Sequence, residues 1–328
     1  SSRNAANSDD SDFLLAKFDS NGTLQWDKRY SGSSSVYNPY YTDGSIGWDL
    51  VQCEDGGFLL GGYSSDNLGN DKTAGSLGHA DFWIVRTDEN GSKLWDKRYG
   101  GSSWDGINFI LKSNENGFLL CGETHSPLGG DLGQPYFNSS TNNGNDIWLV
   151  RVDDNGTLLW ENRYGGSSPE YLESAILSPD NGAILVVSTG SNDGNVTDSG
   201  SGDWVLRVDE NGTILWDKRF NNSGLYTACI THDENAFLLG GASFLAKVDL
   251  NGTVIWQESF GSTGTFHSIH KAESGRYILS AKTNSQANDY KSENGIFRYF
   301  INTPYSDRYR MNASWMVRID ENGTITPN

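Results

Sequence analysis

One hairpin recurs six times along the chain, and that repetition restricts the fold more than any other feature. Its clearest copy, residues 81–99, reads DFWIVRTD, then ENG, then SKLWDKRY. Further copies lie at 12–30, 146–164, 203–220, 243–260 and 314–328. A fixed unit repeated over one chain implies an array of supersecondary units, each burying its apolar face against its neighbours.

Two more strand signals follow each of the first five hairpins. WDGINFILKS (104–113) and FLLCG (118–122) follow the second copy, and WDLVQC and FLLGG (58–62) follow the first. Later copies are followed by YLESAILS with ILVV, YTACITH with FLLGG (237–241), and FHSIHKA with YILSA (277–281). All alternate or form short apolar runs rich in Leu, Ile, Phe and Val. The unit is therefore four strands, and tandem units of this size predict an all-β β-propeller of four-stranded antiparallel blades. Five complete sets fit between residues 46 and 328, and the hairpin at 12–30 has no strand pair before it. Six blades are expected, five complete plus a half, with five or seven as alternatives. Residues 1–11 read as a flexible N-terminal segment and 12–328 as a single domain.

The turns carry their own chemistry. Asp-x-Asn-Gly joins the hairpin strands at 19–22, 88–91, 153–156, 209–212, 249–252 and 320–323. Asn and Gly tolerate the positive φ that tight hairpins need, and the Asp can accept backbone N–H bonds. The same four residues are half of a calcium loop, but the further carboxylates and the closing Glu of a full loop do not follow. No cofactor is expected, with loop-bound calcium as the remaining candidate.

The order FLLGG, loop, strand ending in Asp, short turn, then Trp in the next strand resembles the kelch-type repeat. It is also similar to the turn-plus-Trp pattern of quinoprotein-type propellers. It most resembles a repeat of secreted and surface proteins of archaea and bacteria, of the type DWWVVKLDSNGNIQWQKTYGG, which residues 146–166 match almost position for position. The resemblance covers about residues 12–328 and implies a fold, not an activity. In a kelch-like register, strand A lies at 104–113, B at 117–122, C at 81–88 or 146–152, and D at 92–99 or 156–164, with D outermost. Asp96, Lys97 and Arg98 then crowd an edge strand, where charges oppose edge-to-edge association. The cation before each turn Asp (Lys17, Arg86, Arg151, Arg207, Lys247, Arg318) is expected to form a repeated ion pair between neighbouring strands.

Loop length varies on one face only, at 31–45, 64–80, 123–145, 189–202 and 282–312. Insertions collected on one face mark a binding face. Its aromatics, Tyr37, Tyr40, Tyr41, Tyr136, Phe137, Phe297, Tyr299, Tyr305 and Tyr309, suit sugar stacking or protein contact, or else pin the loops. Ten Asn-x-Ser/Thr sequons are candidate glycan sites. Asn138, Asn195, Asn221 and Asn312 need no turn to explain them, whereas Asn21, Asn90, Asn155, Asn211, Asn251 and Asn322 also serve as turn residues.

The formal net charge of −18 argues against nucleic acid or anionic lipid as partners. No apolar run is long enough to span a membrane as a helix. No signal peptide is read, and the polar opening SSRNAANSDDSD is what processing is expected to leave. Cys53, Cys121 and Cys229 sit at unmatched positions without zinc spacing and read as buried strand residues. The five histidines form no spaced ligand set, and His267 and His270, three apart on a strand, should point to opposite faces. No nucleophile motif or phosphate loop is present, and Asp66, Asp71, Asp131, Asp193 and Asp198 offer loop carboxylates without an assigned pair.

These features lead to the expectation of a non-enzymatic extracellular or cell-surface propeller with a structural or adhesive role, assembling head to tail with copies of itself. Glycans or other surface proteins are further expected partners. The alternative is a carbohydrate-binding protein or carbohydrate-active enzyme using the long-loop face.

Overall fold

The computed structural model describes residues 11–33, 44–114, 117–135, 137, 144–200, 202–220, 224–242, 244–259, 264–272, 275–283, 313–320 and 322. Every regular element among them is a strand. β1 (Phe13–Phe18) and β2 (Leu24–Tyr30) form a two-stranded sheet. β3 (Ser45–Gln52), β4 (Phe58–Ser64), β5 (Asp81–Thr87) and β6 (Lys93–Tyr99) form a four-stranded antiparallel sheet in chain order. The pattern repeats with β7 (Asp105–Lys112), β8 (Phe118–Thr124), β9 (Asp146–Val152) and β10 (Leu158–Tyr164). It repeats again with β11 (Glu170–Leu177), β12 (Ala183–Thr189), β13 (Asp203–Val208) and β14 (Ile214–Phe220). A fourth such sheet holds β15 (Leu225–Ile230), β16 (Ala236–Gly241), β17 (Phe244–Asp249) and β18 (Val254–Ser259). The last sheet holds β19 (Gly264–Ala272), β20 (Arg276–Thr283) and β21 (Ala313–Ile319).

Of five expected complete blades, four are thus four-stranded among the described residues, and the fifth is three-stranded. The residues expected for its last strand, 324–328, lie outside the described ones, as does the segment 1–10. Ser11, placed in the flexible segment by sequence, is instead bridged to Gly44. Contacts divide the chain into two compact units, Ser1–Tyr171 with Asp193–Asn195, and Leu172–Asn192 with Val196–Asn328.

The hairpin turns form as their residues dictate. In each of five, Asp Oδ1 (Asp19, Asp88, Asp153, Asp209, Asp249) accepts the N–H groups two and four residues on, at 2.7–2.9 Å. The turn carboxylates of Asp88 and Asp153 are held below their ordinary range, chiefly by the backbone N–H groups of Ser92 and Thr157.

Within each unit, the core lies between successive sheets. In the first unit, Phe82 of β5 meets Trp148 of β9 at 4.7 Å between ring centroids, and Phe13 of β1 meets Trp83 of β5 at the same distance. Such a ring removes roughly 150–250 Å² from water, worth about 4–6 kcal/mol before entropy is charged. Alternate residues of each C strand therefore face opposite neighbours, and β5 and β9 are buried along their whole length. In the second unit, Val205, Phe237, Leu239 and Phe244 form one cluster, and Leu245, Phe266, Tyr277 and Leu279 another.

The A strands are bulged. The register slips between Gly47 and Asp49, Ile107 and Phe109, Leu225 and Thr227, and Phe266 and Ser268. A bulge shifts the side-chain alternation by one residue. For that reason Phe266 and Ile269 are both buried, and His267 and His270 are both exposed, against the strict alternation expected from sequence.

Candidate functional site

The long-loop end of three blades is tied down by a repeated clamp. The C-strand indoles of Trp83, Trp148 and Trp204 are fully buried and donate Nε1–H to the D-strand acids Asp96, Glu161 and Asp217, at 3.1, 2.7 and 3.1 Å. The same acids accept a backbone N–H from the B–C loop: Thr73 at 2.9 Å, Gly133 at 2.9 Å and Thr197 at 2.8 Å. Asp96 also pairs with Lys93 at 2.6 Å. It is buried, not an edge charge as the sequence suggested. Burial opposes its ionised form, but Lys93, Thr73 and Trp83 outweigh that cost and hold its carboxyl below the ordinary range.

The loop carboxylates do similar work. Asp66 accepts from Gly32 N and Ser45 Oγ, Asp71 from Ser31 N, Asp131 from Gly100 N, Asp193 from Ser167 N, and Asp198 from Arg219 N. Each ties a B–C loop to the backbone at the end of strand D. Among the described residues, no three His, Cys, Asp or Glu side chains gather as a ligand set.

Of the predicted face aromatics, only Phe137 lies within the described residues; Tyr37, Tyr40, Tyr41, Tyr136, Phe297, Tyr299, Tyr305 and Tyr309 lie outside them. Phe137 is half-buried, close to Gly194, and its N–H bonds to Asp146. Asn138, Asn221 and Asn312 also fall outside. Asn21, Asn90, Asn155, Asn211, Asn251 and Asn322 are exposed at turn tips, and the half-buried Asn195 accepts from Gly165 N through Oδ1. Among the described residues, Arg86 pairs with the A–B turn acid Asp55 at 2.6 Å and Arg207 with Asp180 at 2.8 Å. Lys17 instead lies 5.9 Å from the Trp26 ring centre. The three cysteines are buried and free.

Two features went unread in the sequence. One is a buried ammonium. Lys72 Nζ donates to Ser64 Oγ, Asp66 O and Ser76 Oγ at 2.9 Å each. Burial pushes its pKa down to about 8, against the pull of Asp66 and Asp81. Leu132 occupies the same place in the next blade, closing the same bridge (Gly129 with Leu132, Gly69 with Lys72). Aligning Gly-Asn-Asp-Lys (69–72) with Gly-Gly-Asp-Leu (129–132) was the available signal.

The other is an open slot. β7 is covered by β3, β4 and β5 of the preceding blade, and Ile110 on it is 3% exposed. Leu50, the matching residue of β3, is 45% exposed; among the described strands, β1 and its partner β2 alone precede β3. In the covered case Ile110 N donates across to Asp49 Oδ2 at 2.7 Å; Leu50 N donates to its own neighbour, Asp49 Oδ1. Among the described residues, β1 pairs only with β2, and no described strand lies on the edge that would meet a strand B. The slot runs between the β1 edge (Ser11–Leu15) and β3 (Ser45–Leu50). Trp48 and Leu14 line it, 62% and 61% exposed, and Phe18 at the far end of β1 is 58% exposed. What this arrangement can do chemically is accept strands: hydrogen bonds along β1 and apolar cover over β3.

Comparison with solved structures bears on the architecture. The chain is similar to a puromycin hydrolase complexed with PGG, at 13% identity and a TM-score of 0.50, over 93% of this chain and 40% of that one. The fold is that of a β-propeller. The Dos1 propeller (13% identity, TM-score 0.48) matches over 82% of this chain and 60% of its own. The Neurospora crassa Pan2 WD40 domain (11% identity, TM-score 0.48) matches over 90% of this chain and 70% of its own. At such identities the likeness is one of fold alone. No protein-family model matches the chain, and no curated protein matches it.

Proposed function

We propose that this propeller is a non-enzymatic subunit of an extracellular or cell-surface assembly, joined head to tail through its half blade. The β1 edge above the exposed face of β3 carries this reading. A strand edge without a described partner, beside exposed Leu14, Phe18 and Leu50, is costly to leave in water and is a template for strand addition. A head-to-tail contact of this kind need not close on itself, so it extends into filaments or lattices. The exposed sequon asparagines at the turn tips, together with the net charge of −18, support a glycosylated, surface-exposed protein.

A carbohydrate-binding reading is favoured by one observation, the 62% exposure of Trp48 beside the slot, since a bare indole suits sugar stacking. Electron microscopy of native material separates the two. Ordered filaments or sheets are expected for an assembly subunit, whereas single particles of one chain that bind a glycan array through Trp48 would overturn it.

A further inference from the structure

We infer that Asn21 is a site of spontaneous covalent modification, converting to aspartate and isoaspartate while its counterparts at Asn90, Asn155 and Asn251 are held back by the joints between blades. The chemistry is that of an Asn-Gly peptide. The backbone nitrogen of Gly22 bonds to Cγ of Asn21, its proton leaves with Nδ2 as ammonia, and a five-membered succinimide closes. Solvent water then opens that ring at either carbonyl, giving aspartate or isoaspartate. Glycine favours the attack because it has no Cβ to shield its nitrogen and its backbone turns freely. In all five described turns the attacking N–H, that of Gly22, Gly91, Gly156, Gly212 or Gly252, is donated to the carbonyl of the turn Asp at 2.9–3.1 Å. A turn must therefore open before its ring can close, and the rate follows the ease of local opening.

That ease differs between copies. Gly91, Gly156 and Gly252 are buried, and each carbonyl accepts a bond from the preceding sheet: from Tyr30 Oη at 2.7 Å, Tyr99 Oη at 2.5 Å and Lys218 Nζ at 2.8 Å. The preceding sheet also packs against the glycine itself. A Cβ on Gly91 would lie 2.9 Å from Trp26, and one on Gly156 would lie 2.9 Å from Trp95. Beside Asn251, Leu250 O accepts two further bonds across the joint, from Arg207 at 2.7 Å and Trp216 at 2.8 Å. Opening any of these turns means parting two sheets. The turn at Asn21 joins β1 to β2, and no described strand precedes them. Gly22 is exposed, and among the described residues no atom beyond its chain neighbours lies within 4 Å of where its Cβ would stand. Its turn is held by its own bonds, Gly22 N to Asp19 O and the Asn21 and Thr23 N–H groups to Asp19 Oδ1, so it can open alone. Isoaspartate carries the backbone through Cβ and lengthens the turn, so the same Asp19 contacts cannot re-form. Conversion also ends the Asn-Gly-Thr sequon, so a glycan on Nδ2 and this modification exclude each other.

The test ages the full chain, made in a host that adds no glycan, at mildly alkaline pH. Trypsin cleaves at the flanking Lys and Arg, so each turn is read on its own peptide, by its mass and by the separate elution of the isoaspartyl form. In the folded chain Asn21 should convert several-fold faster than Asn90, Asn155 and Asn251, and in urea the four rates should come together. Asn21 as slow as the other three in the folded chain would overturn the inference. So would an order of rates that persists in urea, since local sequence and not the joints would then set it. Tyr99→Phe removes the hydroxyl that holds Gly156 and should raise conversion at Asn155 several-fold with Asn21 unchanged; an unchanged rate at Asn155 would count against the joint as its guard.

Discussion

Replacing Asp96 with leucine should unfasten the first complete blade at its long-loop end. Three donors converge on this buried carboxylate: Trp83 Nε1 at 3.1 Å, Thr73 N at 2.9 Å and Lys93 Nζ at 2.6 Å. Leucine keeps the bulk and removes every acceptor. The indole N–H, fully buried, cannot turn to water, and an orphaned buried donor costs about 1–3 kcal/mol. Thr73 N and Lys93 Nζ are only part-buried and recover some solvation, so together they add about 1–2 kcal/mol. The expected loss is about 3–4 kcal/mol. Asp96→Asn keeps one acceptor for Trp83 or Thr73 and should lose roughly half of that. Urea unfolding followed by Trp fluorescence reads the difference, with exposed Leu94→Ala as the control. Limited trypsinolysis gives a local readout, because releasing loop 64–80 exposes the chain beside the otherwise buried Lys72. The clamp also has a pH signature. The folded carboxyl is depressed, so its contribution is present above the unfolded value near 4 and is lost as pH falls through the folded one. An Asp96→Leu protein within 1 kcal/mol of wild type, and no more open to trypsin, would refute the clamp.

Burial pushes Asp81 up to about 7 and Asp146 up to about 6, so the folded protein holds protons there that the unfolded chain releases above pH 4. The resulting stability is full below pH 4 and is lost as pH rises through 6 to 7; Asp81→Asn should flatten that fall by a few kcal/mol in pH-dependent unfolding. Gly156→Ala should cost about 2 kcal/mol or more in thermal unfolding, since the site has φ +71° and a Cβ would sit 2.6 Å from Lys97 Cγ and 2.9 Å from Trp95. Lys72→Met should destabilise by about 3 kcal/mol in urea, because it strips the buried Asp66 and Ser64 of their cation and donors, although Leu132 fills the same place next door. Intact mass before and after deglycosylation should show added hexose-rich mass; a mass equal to the bare chain would reject glycan occupancy.

The blades were legible because two periodicities and one turn agree in every copy. Strand C is a continuous apolar run since it is buried on both faces, and β5 and β9 begin and end where DFWIVRT and DIWLVRV do. The Asp-x-Asn-Gly turn announces its own hydrogen bonds. Side-chain direction was less legible where a backbone irregularity intervenes, as at His267, whose bulge has no residue signature of its own. Burial of charge was less legible still. Asp96 looks like a surface residue until the indole of Trp83, thirteen positions earlier, is found beneath it. The slot was half read: counting strands showed a missing pair, but only the exposure of Leu50 against the burial of Ile110 showed which surfaces await it.

The D-strand tyrosines carry a consequence of a different order. Tyr30 Oη donates to Gly91 O at 2.7 Å and Tyr99 Oη to Gly156 O at 2.5 Å, so each turn glycine is locked by the blade before it. The blade of β3–β6 thus carries both a key at its last strand, Tyr99, and a lock in its own turn, Gly91. A tandem duplication of such a unit arrives with both halves of the joint, so blades can be gained or lost without inventing a new interface, and mismatch is confined to the two ends of the array.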